Sequence, residues 1–129
     1  MKRLALAAAA LTVLGGCGGS ARDHRAALEI RHSGFSDSVL EARVGQPLTL
    51  RLLNRDPIDH EWIVGDDETH RRHATGTEKR HDERPTEVSV AALTTMTTTV
   101  IFDRAGDYRF VCHLPGHEAY GMTGVVRVR

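Results

Sequence analysis

The sequence predicts an all-β domain, a sandwich of about eight short strands carrying one long polar insertion. Three observations lead there. From Ala26 onward the apolar residues recur with period two, as a half-buried antiparallel sheet system requires. The alternating segments are short and are separated by Gly, Pro, Asn and Asp, the residues that turn a chain. Helical signals are weak throughout, and the threonine-rich run Thr94 to Thr99 favours a strand.

Taken in order, the chain opens with Met1 to Cys17, MKRLALAAAALTVLGGC. Lys2 and Arg3 make a basic start, and Leu4 to Leu14 is apolar apart from Thr12. A bilayer span needs about 18 or more apolar residues, so this run reads as the apolar part of an export signal. Leu14-Gly15-Gly16-Cys17 resembles the lipobox of bacterial lipoproteins, which makes Cys17 the lipidated first residue of the mature chain. An ordinary secretory signal with an incidental cysteine is the alternative. The expected organisation is a signal over 1–16, a lipidated N-terminus and tether over 17–25, and one domain over 26–129.

Within the domain Leu28 and Ile30 alternate with Glu29 and Arg31, and Leu40, Ala42 and Val44 with Glu41 and Arg43. After Gly45-Gln46-Pro47 come Leu48, Leu50 and Leu52, then His60, Trp62 and Val64 ending at Gly65. Val88 and Val90, then Thr98, Val100 and Phe102, then Tyr108 and Phe110, then Val126 and Val128 complete the set. Trp62, Phe110 and Tyr108 read as core, and Met96 as packing. Residues 66–85, DDETHRRHATGTEKRHDERP, are almost wholly polar and longer than most loops of a compact domain. They read as a polar insertion between strands, with a short helical turn.

The composition narrows the function. Lys+Arg 17 balances Asp+Glu 17, so the chain has no electrostatic footprint for nucleic acid. There are two cysteines, and with Cys17 lipidated Cys112 is the lone thiol of an exported protein. Such a thiol calls for a role: intermolecular pairing, reactivity or metal ligation. Eight histidines are many for 129 residues.

The informative segment is Gly106 to Gly124, GDYRFVCHLPGHEAYGMTG. A strand ending at Val111 delivers Cys112; His117 and Met122 follow at intervals of five, with Pro115-Gly116 and Gly121 as turns. One loop thus presents a thiolate, an imidazole and a thioether to a common point. Soft sulfur with imidazole suits copper, and two histidines, a cysteine and a weak axial methionine make a blue-copper site. The second histidine must come from elsewhere. His60, opening a strand after the turn-rich Asn54 to Asp59, is the best candidate. Zinc could use the cysteine and histidines, but the methionine offers it nothing.

Cys112-x4-His117-x4-Met122, preceded by Gly106-Asp107-Tyr108 and a strand, resembles the cupredoxin family of plastocyanin, azurin and auracyanin. The resemblance implies a Greek-key sandwich with one copper at one end. It implies His60, Cys112 and His117 as equatorial ligands, Met122 as the axial one, and the edge of His117 as electron port. Where azurin and plastocyanin carry Asn after the first histidine, this chain has Glu61, and the 66–85 insertion is foreign to the small plant proteins.

Of the other histidines, His113 follows Cys112 and alternates to the opposite face, which makes it a surface or partner-contact residue. Multicopper oxidases flank the cysteine with histidine on both sides; here Val111 precedes it and no His-x-His pair occurs. His70, His73 and His81 in the insertion are possible auxiliary metal ligands, although a solvated loop is the simpler reading. His24 and His32 read as surface. The expected function is one-electron transfer by a single Cu(I)/Cu(II) centre outside the cytoplasm, with redox proteins as partners and the membrane reached through Cys17. The chain is expected to be a monomer and not an enzyme. The alternatives are copper capture or delivery at the cell surface, or a subunit of a copper reductase or oxidase, which would need a second metal.

Overall fold

The computed structural model describes residues 24–74 and 84–129. Among the described residues nine strands and one helix run in the order β1 (His24–Arg31), β2 (Gly34–Phe35), β3 (Val39–Ala42), β4 (Pro47–Asn54), β5 (His60–Gly65), α1 (Asp67–Ala74), β6 (Glu87–Val90), β7 (Thr95–Ile101), β8 (Gly106–Val111) and β9 (Thr123–Val128). The eight alternating segments are all strands, and the two-residue β2 is the addition. Cys17, the signal and most of the tether lie outside the described residues, as does His81; β1 begins at His24, two residues ahead of the expected domain start.

The strands form two sheets, β2-β1-β4-β7 and β3-β9-β8-β5-β6. Two pairings depart from the expected antiparallel system. β1 runs parallel to β4, with Leu28 beside Leu52, and β3 runs parallel to β9, with Leu40 beside Val126. Alternation of apolar and polar residues reports which face a strand buries, and it is blind to the direction of the neighbouring strand.

The inward faces make the core. Leu28 and Ile30 of β1 and Leu48, Leu50 and Leu52 of β4 meet Trp62 of β5, Phe110 of β8 and Val126 and Val128 of β9, all fully buried. Each such side chain contributes about 1.5–3 kcal/mol by leaving water. Phe110 is the hub: Phe35 meets it edge-on at 5.2 Å and Trp62 lies 6.2 Å away. Its ring lies over Gly124, its partner across the β8–β9 ladder, where a Cβ would overlap the ring. Glycine at 124 is thus a packing requirement of the strand that follows Met122. Met96 departs from expectation: it shares the inward face of β7 with Thr98 and Val100, opposite Leu52, yet is 41% exposed because β7 is an edge strand and Met96 lies near its start. Val44 is exposed as well, beyond the end of β3.

The turn between β1 and β2 is unusual in composition. Its two central residues, His32 and Ser33, have φ of 54° and 53°, the left-handed pair of a two-residue hairpin turn usually made by Asn-Gly. Their backbone N–H groups donate to the two carboxylate oxygens of Asp56, at 2.7 and 2.8 Å. Those two charge-assisted bonds offset the cost of the left-handed backbone.

The insertion is the largest revision to the sequence reading. The helical turn extends to an eight-residue helix over 67–74, and it buries His70 and His73 where solvated histidines were expected. Asp66 caps it: its carboxylate accepts from the Thr69 N–H and the Thr69 hydroxyl, both at 2.9 Å. These two bonds hold the Asp66 carboxyl below the ordinary carboxylate range. Glu68 with Asp67 at the start, and Arg71 and Arg72 at the end, suit the helix dipole. The apolar periodicity that marks most helices is missing because the buried side is made of histidine.

Candidate metal centre

Two structural devices deliver the donors. The first is the Asn54–Asp59 turn, which carries His60 to the start of β5. Asn54 is buried, and its side-chain amide reaches the carbonyls of Ile58 at 2.8 Å and of Val90 and Ala91 at 3.1 Å. Its side-chain oxygen accepts the N–H of Asp56 at 2.9 Å. Asp56 then accepts from Nε2 of His60 at 2.9 Å. A carboxylate offers no proton, so Nε2 of His60 carries the hydrogen and Nδ1 keeps its lone pair. His60 is 1% exposed and cannot turn away.

The second device is the loop from Cys112 to Met122, closed by its own backbone. The Cys112 N–H donates to the Met122 carbonyl at 3.1 Å, and the Met122 N–H to the His117 carbonyl at 3.1 Å. Gly116 and Gly121 adopt φ of 85° and 96°, which side-chain-bearing residues rarely accept. The loop returns to its start, with Cys112 and Met122 both buried in the core cluster and His117 half-buried at the surface.

Nδ1 of His60 and Nδ1 of His117 are 3.3 Å apart, and Sγ of Cys112 is 3.3 Å from Nδ1 of His117. All three donor atoms lie within 4.8 Å of one another. A cation bound at about 2.0–2.3 Å by imidazole and thiolate separates neighbouring donors by roughly 3–4 Å, so these atoms fit one ion. The chemistry of the set, two imidazoles and a thiolate with a methionine closing the loop, fits copper.

The electrostatics agree. Burial raises the Cys112 thiol above its ordinary value, offset in part by the N–H groups of Glu61 and Leu114. The thiol thus keeps its proton until a cation displaces it. Burial, then the neighbouring His60, lowers His117, which keeps that imidazole neutral and able to ligate. Burial would raise the Asp56 carboxyl, but hydrogen bonds from Ser33, His32 and His60 outweigh it and hold the group below its ordinary value. Asp56 is therefore an anion behind His60.

Three of the four expected ligand residues thus converge as donor atoms, and Met122 closes the loop that carries two of them. At the position where the resemblance expects Asn, the backbone does the work: the Glu61 N–H points at Sγ of Cys112 at 3.4 Å, whatever the side chain. Asn54 and Asp56 escaped the sequence reading. Their spacing was legible only as a turn, although Asp56 lies four residues ahead of His60 and Asn54 two ahead of Asp56.

His113 also departs from expectation. Its side chain is 6% exposed, packed against α1 and not turned to solvent. Burial, then the nearby His70, lowers its pKa to about 4. His70 is likewise lowered, by burial first. His70 and His73 both meet His113 ring to ring, at 5.3 and 5.9 Å. The histidines of α1 are therefore turned inward and do not form a solvated capture loop.

Comparison with known proteins places this geometry in context. The sequence model for copper binding proteins of the plastocyanin/azurin family matches residues 29–129. A copper-resistant cuproprotein, CopI of Rubrivivax gelatinosus, is 31% identical over 98 residues, covering 74% of this chain and 59% of that protein. The chain thus matches little more than half of that relative's length. Among solved structures, auracyanin from Roseiflexus castenholzii superposes with a TM-score of 0.70 at 17% identity, covering 83% of this chain and 98% of that one. Auracyanin A, a blue copper protein from Chloroflexus aurantiacus, gives 0.63 at 20% identity, covering 81% and 98%. Auracyanin B gives 0.66 at 19%, covering 82% and 88%.

Proposed function

Because the chain belongs to the plastocyanin/azurin family of copper-binding proteins, we propose that it acts as a one-electron carrier outside the cytoplasm, built around a single copper. The observation that carries this reading is the convergence of His60, Cys112 and His117 on one point, with Asp56 fixing the first of them. Copper held there supplies a Cu(I)/Cu(II) couple. The residues supply what a fast carrier needs. His60 is locked by Asp56, Cys112 by the Glu61 N–H, and the loop by its own backbone, so little moves when charge changes. Met122 would be the weak axial donor. Of the three converging residues only His117 is not fully buried, which suits it as the port for electrons.

A second reading is copper handling, motivated by the copper-resistant relative. The two readings differ in whether copper leaves on reduction. The protein should be cycled through reduction and reoxidation with a moderate Cu(I) chelator present. An electron carrier is expected to retain its copper and its colour through repeated cycles. Loss of copper to the chelator on the first reduction would favour delivery.

The proposed setting rests on the Met1–Cys17 pattern, an export signal ending in a lipobox-like cysteine. Mass spectrometry of protein made in a bacterial host should find Cys17 as a diacylated first residue. A mature N-terminus beyond Cys17 would end the lipoprotein reading. Among the described residues no helix is long and apolar enough to cross a membrane.

A further inference from the structure

On the far side of the Cys112 backbone from the metal centre, two buried imidazoles face each other. Nδ1 of His70, from α1, and Nε2 of His113 are 3.0 Å apart. The opposite nitrogen of each ring already faces an acceptor. Nε2 of His70 lies 3.2 Å from the Arg109 carbonyl, which can only accept, so that nitrogen carries the hydrogen and Nδ1 is a lone pair. Nδ1 of His113 faces Oε2 of Glu118 at 3.9 Å, a carboxylate held by Arg109 at 2.6 Å.

Only two arrangements of the protons are open to the neutral pair. If His113 carries its hydrogen on Nε2, it bonds His70, but its Nδ1 lone pair then faces the Glu118 carboxylate. If it carries the hydrogen on Nδ1, towards Glu118, two lone pairs meet across 3.0 Å. Glu118 at 3.9 Å is beyond hydrogen-bond reach, so the first arrangement is an ordinary hydrogen bond, and only the second sets two lone pairs face to face. A cation between the two facing nitrogens would take up both lone pairs of the second arrangement, with the outer N–H groups directed at a carbonyl and a carboxylate. That is the outer arrangement usual for metal-bound histidine.

We propose that His70 and His113 form a second metal site, for a divalent cation of the Cu(II) or Zn(II) type. With bonds of about 2.0 Å, nitrogens 3.0 Å apart subtend nearly a right angle at the ion. That is the spacing of neighbouring ligands in a tetragonal or tetrahedral ion, whereas a linear two-coordinate ion would need about 4 Å. The remaining positions open towards a surface cavity of about 450 Å³ bounded by Ala74, His113, Leu114 and Glu118, where water or a small anion completes the set. His73 is not a ligand. Its Nδ1 bonds the Thr69 carbonyl at 2.7 Å and its Nε2 is directed at Glu87, so it packs against His113 as a wall.

The test is a Cu(II) titration of the protein followed by visible absorption and electron paramagnetic resonance. The first equivalent reports the His60–Cys112–His117 centre by its colour. The second equivalent is expected to bind without added visible intensity, giving a signal with wide hyperfine splitting and coupling to two nitrogens. His70→Gln and His113→Gln should each weaken the second equivalent by at least about 10-fold, and His73→Gln should leave it unchanged. Zn(II), added after the first Cu(II), should compete for the same site. Colour from the first equivalent shows that each variant is folded, and circular dichroism serves if that colour fails for any other reason. Binding of one equivalent only would overturn the proposal, and so would a second equivalent held undiminished by both His70→Gln and His113→Gln. Because the two signals are read separately, the electron-carrier reading can fail without touching this one.

Discussion

Cys112→Ser is expected to abolish the intense visible absorption of the Cu(II)-loaded protein and to lower Cu(II) affinity by orders of magnitude. The colour of such a centre comes from charge transfer between thiolate sulfur and copper, and a serine hydroxyl neither ionises near neutral pH nor donates softly. The substitution is nearly isosteric at a fully buried position, and a serine oxygen can accept the Glu61 N–H that now points at Sγ. The fold should therefore survive, and the loss will be one of chemistry. Met122→Ala should keep the colour and shift the potential, since the axial bond is weak. Absorption spectra during Cu(II) titration decide the matter. Colour surviving in Cys112→Ser, or a colourless wild-type copper complex, would refute the assignment of Cys112 as the thiolate ligand.

Asp56→Ala is expected to produce the second largest effect, and through two routes at once. It removes the acceptor for His60 Nε2, freeing a ligand that is otherwise fixed. It also strips the acceptors from the left-handed N–H groups of His32 and Ser33. Leaving that many donors without their carboxylate should cost about 2–4 kcal/mol of stability. Freeing the ligand should cost about 10–100-fold in Cu(II) affinity. Denaturant unfolding of the metal-free protein and competitive Cu(II) titration measure the two separately. An unchanged affinity would show that Asp56 does not position His60.

Much of this was legible in the sequence, for a physical reason. Period-two alternation is imposed by the pleat, so Leu48, Leu50 and Leu52 declare an inward face before any coordinates are known. Ligand spacing within one loop is also local, and Cys112, His117 and Met122 announce themselves. What alternation cannot encode is the direction of a neighbouring strand, and the parallel pairing of β1 with β4 was missed for that reason. Residues 67–74 were misread because histidine was counted as polar, whereas neutral imidazoles pack and bond like core groups once a partner such as His113 is present. Asp56 was hidden because its three partners, His32, Ser33 and His60, come from two separate stretches of chain.

The topology also sets an order of assembly. His60 and His117 are 57 positions apart, and they meet only when β5 pairs with β8. β3 must likewise wait for β9 before its parallel partner exists. Folds dominated by such distant pairings close on the millisecond-to-second scale. A chain emerging from its N-terminus can offer no complete donor set until Met122 has been made. Copper reaching the chain early would find histidines scattered along an open strand, and mismetallation would compete with folding. The centre is therefore best filled last, by a cation delivered to a sandwich that is already closed.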